Sequence, residues 1–179
     1  MEFETVIRGG SVATAEAVFR ADIGITDGRI VAVGNGLPLA GNEIDVHGFV
    51  VAPGAIDVHT HFDHFVEYVG KNNADDYESG TRAAAVGGIT TVVNFAYQRK
   101  GGSLRAAVEE ELLRAEGNAH VDFGLHICVT DPTTPGVLDE LGSLADEGYS
   151  SVKIFTTIHS YQLGDSDLNR WLRGRHVIN

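Results

Sequence analysis

From Pro53-Gly54 onward the chain repeats one rhythm, an apolar run followed by a stretch with helical spacing. The runs GAIDVHTHF, ITTVVNFAY, VDFGLHICVT and SSVKIFTT begin roughly 30 to 35 residues apart. That is the spacing of βα units, whose parallel strands are joined by crossover helices. The intervals carry helix punctuation. NADDYESGTRAAAVGG offers Asn73 as an N-cap, puts Tyr77, Thr81 and Ala84 on one face, and stops at glycine. SLRAAVEEELLRAEG opens at Ser103, aligns Leu104, Val108, Leu112 and Ala115, and ends at Gly117. TPGVLDELGSLADEG has Thr134 as cap and Pro135 at the first helical position, then Leu138, Leu141 and Leu144 before Gly148. Three units are complete, and a fourth helix is expected from DSDLNRWLRG.

Residues 1–52 follow another style. ETVIRGGSVAT, ADIGITDGRIVAVG and NEIDVHGFVVAP are short β-rich runs separated by glycine and asparagine. Within them, Asp27-Gly28 lies between alternating apolar residues, the signal for a two-residue hairpin turn with positive φ. The expected class is α/β, with residues 1–52 as a strand module and 53–179 as the βα series. With 43% hydrophobic residues, the 179-residue chain can bury an ordinary core.

Composition narrows the partners. Twenty-five acids against 13 lysines and arginines give a formal charge of -12, which argues against nucleic acid. No apolar run approaches the length of a membrane span, so no membrane partner is expected. MEFETVIRGG has no basic region followed by an apolar stretch, and the single cysteine, Cys128, excludes an intrachain disulfide. A cytoplasmic location is the expectation.

The chemistry concentrates in IDVHTHFDH, residues 56–64, at the end of the first βα strand. In parallel βα architectures those strand ends form the functional face. His59 and His61 are two apart, so on an extended backbone both imidazoles point the same way and can share one ion. Asp57 falls on the same alternation and either reaches the site, supports a histidine from behind, or is simply a buried hydrogen-bonding acid. Asp63 lies close by, and His64 is expected at the surface of the following loop. Lys153, inside the apolar run SSVKIFTT, is the second marked residue, because a covered strand offers its ammonium no water. Either it snorkels from an edge strand, or its desolvated amine is enlisted. A neutral amine reacting with carbon dioxide gives a carbamate, an oxygen donor able to bridge two metal ions. Imidazole nitrogen and carbamate oxygen suit zinc or a similar divalent ion.

GAIDVHTHFD, ADDYESGTRAAAVGGITTVVNFA, SLRAAVEEE, VDFGLHICVTD and SSVKIF, in order and spacing, resemble the first half of the dihydropyrimidinase and D-hydantoinase branch of the amidohydrolase superfamily. The resemblance implies a (β/α)8 barrel of the TIM type with a small β-sandwich. It also implies two divalent metal ions, usually zinc, and a bridging carboxylated lysine. His59 and His61 match the first metal-ligand pair and Lys153 the bridging lysine; Asp57 and Asp63 are, from their position, candidates to support them. The partners implied are a small cyclic amide substrate and other copies of the chain, as a homo-oligomer.

Asp63 stands where a dihydroorotase-like chain has a substrate-binding arginine, which argues against that branch. Phe62-Asp63-His64-Phe65 departs from the Leu-Asp-Met-Pro of similar hydantoinases at its last two positions. Ile158 replaces a substrate-contacting tyrosine, with Tyr161 three residues on. A complete barrel takes about 250 residues, and the stretch after Pro53 accommodates about four of its eight units. The expectation is therefore a partial barrel preceded by part of a sandwich. The remaining histidine ligands and the acid/base aspartate would lie outside these residues, since His159 and His176 do not sit on later strands of the pattern. A hydrolase that opens cyclic amides or ureides, here lacking a complete site, is the reading favoured by the retained ligands. A non-catalytic scaffold of the same fold is the alternative.

Overall fold

The computed structural model describes residues 3–66 and 69–155. The expected fourth helix, Ile158, Tyr161, His159 and His176 lie outside them. The chain forms two compact units that part between Gly54 and Ala55.

The first unit is a five-stranded sheet of β1 (Thr5–Ala13), β2 (Val18–Thr26), β3 (Arg29–Gly34), β4 (Asn42–Asp45) and β5 (Val50–Val51). The order is β3-β2-β1-β4, with β5 also on β1. β1–β2 and β2–β3 are antiparallel, whereas β4 and β5 run parallel to β1. Thr26 pairs with Arg29, so Asp27 and Gly28 form the two-residue turn predicted from their dipeptide, at φ of 50° and 67°. Val12, Ala21 and Ile23 make a small core, while Val18, Ile30 and Val33 stay largely exposed. Asp22 is the unit's buried acid. Its carboxylate accepts from the backbone N–H groups of Gly9, Gly36 and Leu37 at 3.0, 3.1 and 3.2 Å and from the Arg8 guanidinium.

The second unit runs β6 (Ala55–Asp57), a small hairpin of β7 (Phe65–Val66) and β8 (Lys71–Asn72), α1 (Tyr77–Val86), β9 (Ile89–Tyr97), α2 (Leu104–Ala115), β10 (Asp122–Cys128), α3 (Val137–Asp146) and β11 (Val152–Lys153). Its main sheet has the order β11-β10-β9-β6, all parallel, so each strand pairs with the next of the series. That is the topology the spaced apolar runs predict. Leu104, Val108, Leu125, Ile127, Val129, Val137, Leu141 and Leu144 join in one core between sheet and helices. No described helix is long and apolar enough to cross a membrane.

Three local expectations are corrected. The first strand ends at Asp57 rather than continuing through the histidines, because the regular ladder to β9 breaks there: Thr60 N–H still reaches the Val93 carbonyl of β9, but Phe62 N–H goes to the Asn94 side chain. α1 is capped by Asp76, whose carboxylate accepts from Ser79 N–H at 2.8 Å while Ser79 Oγ accepts from Asp76 N–H, a capping box. Asn73 instead donates its side-chain amide to the His61 carbonyl. α3 begins at Val137 after Gly136 at φ 83°, with no side-chain cap. Thr134 and Pro135 precede it, in a turn where the Asp131 carboxylate accepts from the N–H and hydroxyl of Thr133. α2 follows its sequence signal, with Ser103 Oγ accepting from Ala106 N–H at 3.1 Å.

Candidate metal centre

His59 and His61 lie just beyond β6, yet their rings meet. The two Nε2 atoms are 3.2 Å apart. Both rings rest on Phe95 of β9, His61 stacked at 4.8 Å between centroids and His59 edge-on at 4.9 Å. Lys153 Nζ stands over the same Phe95 ring, 5.8 Å from its centroid, and 5.2 Å from that of Phe155. Strand register brings this about. Phe95 pairs with His126, and two residues on Tyr97 pairs with Cys128, which pairs with Lys153. Residues two apart share a face, so Phe95, Tyr97, His126, Cys128 and Lys153 line one side of the sheet.

The supporting acids act on the backbone. Asp57 accepts from the His59 backbone N–H at 3.0 Å, not from its ring. Asp63, left-handed at φ 52°, accepts from Tyr77 N–H at 3.4 Å. His64 is not the fully exposed residue expected. It is half-buried, stacked on Tyr97 at 4.2 Å and 5.6 Å from the His61 ring, because the β7–β8 hairpin folds the chain back there.

Electrostatics leaves the right protonation states. Burial, then the neighbouring His59, His64 and Lys153 charges, holds His61 below the ordinary histidine value. It is therefore neutral near pH 7, the form that binds a metal. Burial pushes the Cys128 thiol up to about 12 against the pull of Lys153, so it stays protonated and is not a thiolate ligand.

The donor geometry fits one ion at the histidine pair. In a tetrahedral site with Zn–N of about 2.0–2.1 Å, two imidazole nitrogens stand about 3.3 Å apart, close to the 3.2 Å found. Among the described residues no group of three or more His, Cys, Asp or Glu completes a metal site. Lys153 Nζ shares the Phe95 ring with the histidine pair. Beside them a cleft of about 390 Å³ is lined by Asp63, His64, Phe65, Tyr97, Arg99 and Arg114 among others, and neither His59 nor His61 lines it. Its guanidinium groups are paired, both Arg99 and Arg114 with Glu110.

Comparison with known proteins adds to this geometry. The amidohydrolase family profile matches residues 50–135. D-hydantoinase of Rhizobium radiobacter is 42% identical over 164 residues, 90% of this chain and 35% of its own length. A solved structure of a D-hydantoinase superposes with a TM-score of 0.89 at 39% identity, over 95% of this chain and 37% of that one.

Residues 50–135 carry the pattern of the amidohydrolase family, and over most of its length the chain is similar to D-hydantoinases.

Within the superfamily its likeness is to the dihydropyrimidinase and D-hydantoinase branch. The dihydropyrimidinase of Brevibacillus agri superposes with a TM-score of 0.84 at 37% identity, over 92% of this chain and 36% of that one. The amidohydrolase sheet here is a partial (β/α)8 barrel, and the chain spans about a third of the length of these relatives, 35% in the first case.

Sequence reasoning passed over one group of residues at this site. Asn94, Tyr77 and Glu111 are buried together on the helix side of β9, and Asn94 is bonded to the histidine segment. The signal was an asparagine inside the apolar run VVNFA, the same kind of misfit that marks Lys153.

Proposed function

We propose that the chain supplies the first ligand set of a metal-dependent hydrolase that opens cyclic amides or ureides, as its hydantoinase relatives do by name. The observation that carries the reading is the His59–His61 Nε2 pair at 3.2 Å, with Lys153 Nζ over the same Phe95 ring. His59 and His61 would hold an ion through their imidazole nitrogens, and Lys153, as its carbamate, would add an anionic oxygen donor. Carbamate formation joins the amine nitrogen to the carbon of carbon dioxide and releases the amine proton to solvent, giving an anion whose charge the metal ions offset. Zinc is the ion favoured by nitrogen and carbamate oxygen donors. When bound, two divalent ions supply Lewis acidity and water activation near neutral pH. Phe95 sets the height of the two imidazoles by ring contact, and Asp57 fixes the backbone of His59. Asp63 helps seat the loop on α1 through Tyr77 N–H.

This reading treats residues 1–52 as part of a small β-sandwich and 53–179 as the first half of the barrel, with a small cyclic amide as partner. A cytoplasmic homo-oligomer accords with it. The remaining ligands and the acid/base group would come from outside the described residues. The 179-residue chain made alone is therefore expected to retain metal weakly or not at all and to show no measurable ring opening.

The test joins residues 1–179 to the remainder of the Geobacillus stearothermophilus D-hydantoinase, to which the chain is 39% identical. Metal content and hydrolysis of hydantoin and 5,6-dihydrouracil are measured. Activity in the chimera that disappears in His59→Ala, His61→Ala and Lys153→Ala, with a mass gain of one carbon dioxide on Lys153, supports the reading. A folded chimera with full metal content after Lys153→Ala rejects the bridging role. Turnover at ordinary enzyme rates by the 179-residue chain alone rejects the expectation that the site is completed from elsewhere.

A further inference from the structure

The segment that carries the two histidines has no strand ladder to hold it, since β6 stops at Asp57. Single bonds fix it instead. His126 Nε2 donates to the Val58 carbonyl at 2.8 Å, Thr60 N–H donates to the Val93 carbonyl at 3.1 Å, and the Asn73 amide reaches the His61 carbonyl. The remaining clamp is Asn94. Phe62 N–H can only donate, so the atom it faces at 3.1 Å is the Asn94 oxygen, and the amide orientation follows from chemistry. The Asn94 nitrogen then points at the Phe62 carbonyl, 3.3 Å away, and at Tyr77 Oη, 2.9 Å away.

Asn94 is 2% exposed, Tyr77 1% and Glu111 6%. Tyr77 Oη donates to Glu111 Oε2 at 3.1 Å, and Glu111 Oε1 accepts from Arg114 at 2.6 Å. The relay Arg114–Glu111–Tyr77–Asn94 runs from α2 through α1 to β9 and ends on both polar groups of Phe62, the residue after His61. The Phe62 ring is lodged against Tyr77, 5.5 Å between centroids, and against Gly80. A valine or leucine at 94 would suit the apolar strand. The amide there is costly to bury unless bonded, and two of its bonds go to the histidine segment.

We propose that Asn94 is a positioning residue: by gripping Phe62 at both N–H and C=O it sets the His61 ring against that of His59. The proposal rests on the reading of His59 and His61 as metal ligands. The test compares the wild-type chain with three variants. Asn94→Leu removes both bonds and keeps the side chain's branching, with methyl groups in place of its oxygen and nitrogen. Asn94→Asp keeps an acceptor for Phe62 N–H. Tyr77→Phe removes the hydroxyl between Asn94 and Glu111, leaving their direct 3.4 Å contact and both Phe62 bonds. Two quantities are read in folded protein: deuterium uptake at residues 59–63 without metal, and the dissociation constant for Co²⁺ by its visible spectrum.

Asn94→Leu is expected to speed exchange at Phe62 about tenfold or more and to weaken Co²⁺ by a similar factor. Asn94→Asp should recover most of the Phe62 protection, and Tyr77→Phe should leave both readouts within about threefold of wild type while lowering Tm. A folded Asn94→Leu chain with wild-type exchange and affinity overturns the proposal. So does a Tyr77→Phe chain that loses as much as Asn94→Leu, since Asn94 would then contribute only general stability. Should Asn94→Leu not fold, Asn94→Ser, whose hydroxyl is too short to span both groups, is read by the same outcomes. A folded chimera with the Geobacillus stearothermophilus D-hydantoinase remainder that takes up no Co²⁺ refutes the metal-ligand reading, and the exchange at Phe62 then decides the positioning role alone.

Discussion

Gly80 shows how far a single residue's context departs from its type. An alanine inside a helix ordinarily stabilises by about 1 kcal/mol relative to glycine. At Gly80 of α1 an added Cβ would lie 2.3 Å from the Phe62 ring. Gly80→Ala is therefore expected to destabilise by about 1–3 kcal/mol, measured as a lower urea midpoint at unchanged slope. Two buried acids set opposite pH responses. For Asp22, burial raises the pKa, but the N–H donors of Gly9, Leu37 and Gly36 and the Arg8 charge outweigh it, and the value lies below the ordinary 3.8. Its stabilisation is present above that value and lost as pH falls through the lowered one. Acid melting curves of the wild type should steepen below about pH 4, and Asp22→Asn should flatten that part. Glu111 is raised above 4.5 by burial, against the opposing Arg114 charge and Tyr77 bond, so its contribution is largest below 4.5 and declines as pH rises through its folded value. At this scale the sequence was legible where a misfit carries charge or stands in a motif. His59, His61 and Lys153, which meet around Phe95, stand out in the sequence; Asn94 does not, because an uncharged amide in a strand is also compatible with an edge position.

Elements were legible through their apolar period and less so through their ends. The strand series, the Asp27-Gly28 hairpin and the Ser103 cap follow from local signals. The caps of α1 and α3 do not, because Asn73 is drawn away by the His61 carbonyl and the Asp131 turn delays α3 to Val137. The start of α2 also has a partner no local signal could reveal. The Glu140 carboxylate, from α3, accepts from Ser103 Oγ at 3.0 Å, Leu104 N–H at 2.6 Å and Arg105 N–H at 3.3 Å. It serves as a second cap, negative at the positive end of the helix dipole. Glu140→Ala should cost about 1–2 kcal/mol and raise hydrogen exchange over the first turn of α2. Equal exchange there in both proteins would show that Ser103 suffices.

At the scale of the whole molecule, the described barrel sheet has β6 and β11 at its two ends, and the first unit leaves Val18, Ile30 and Val33 exposed. Unpaired edges and apolar faces favour association. The 179-residue chain made alone should sediment as dimers or larger species despite its charge of -12. A stable, cooperatively melting monomer at micromolar concentration would show that these edges and faces are covered within one chain. The parallel pairing in the first unit has a further consequence, for the order of events during synthesis. β1 pairs with β2 at once, but its other edge takes Asn42–Asp45 along one half and Val50–Val51 along the other. At about 5–20 residues per second, that edge waits on the order of a few seconds after β1 emerges from the ribosome. In the barrel sheet β9, β10 and β11 each pair with the preceding strand of that sheet. Translation thus leaves the earliest strand half-paired longest, and a nascent-chain binder directed to β1 would find its target only until residue 51 has cleared the exit tunnel.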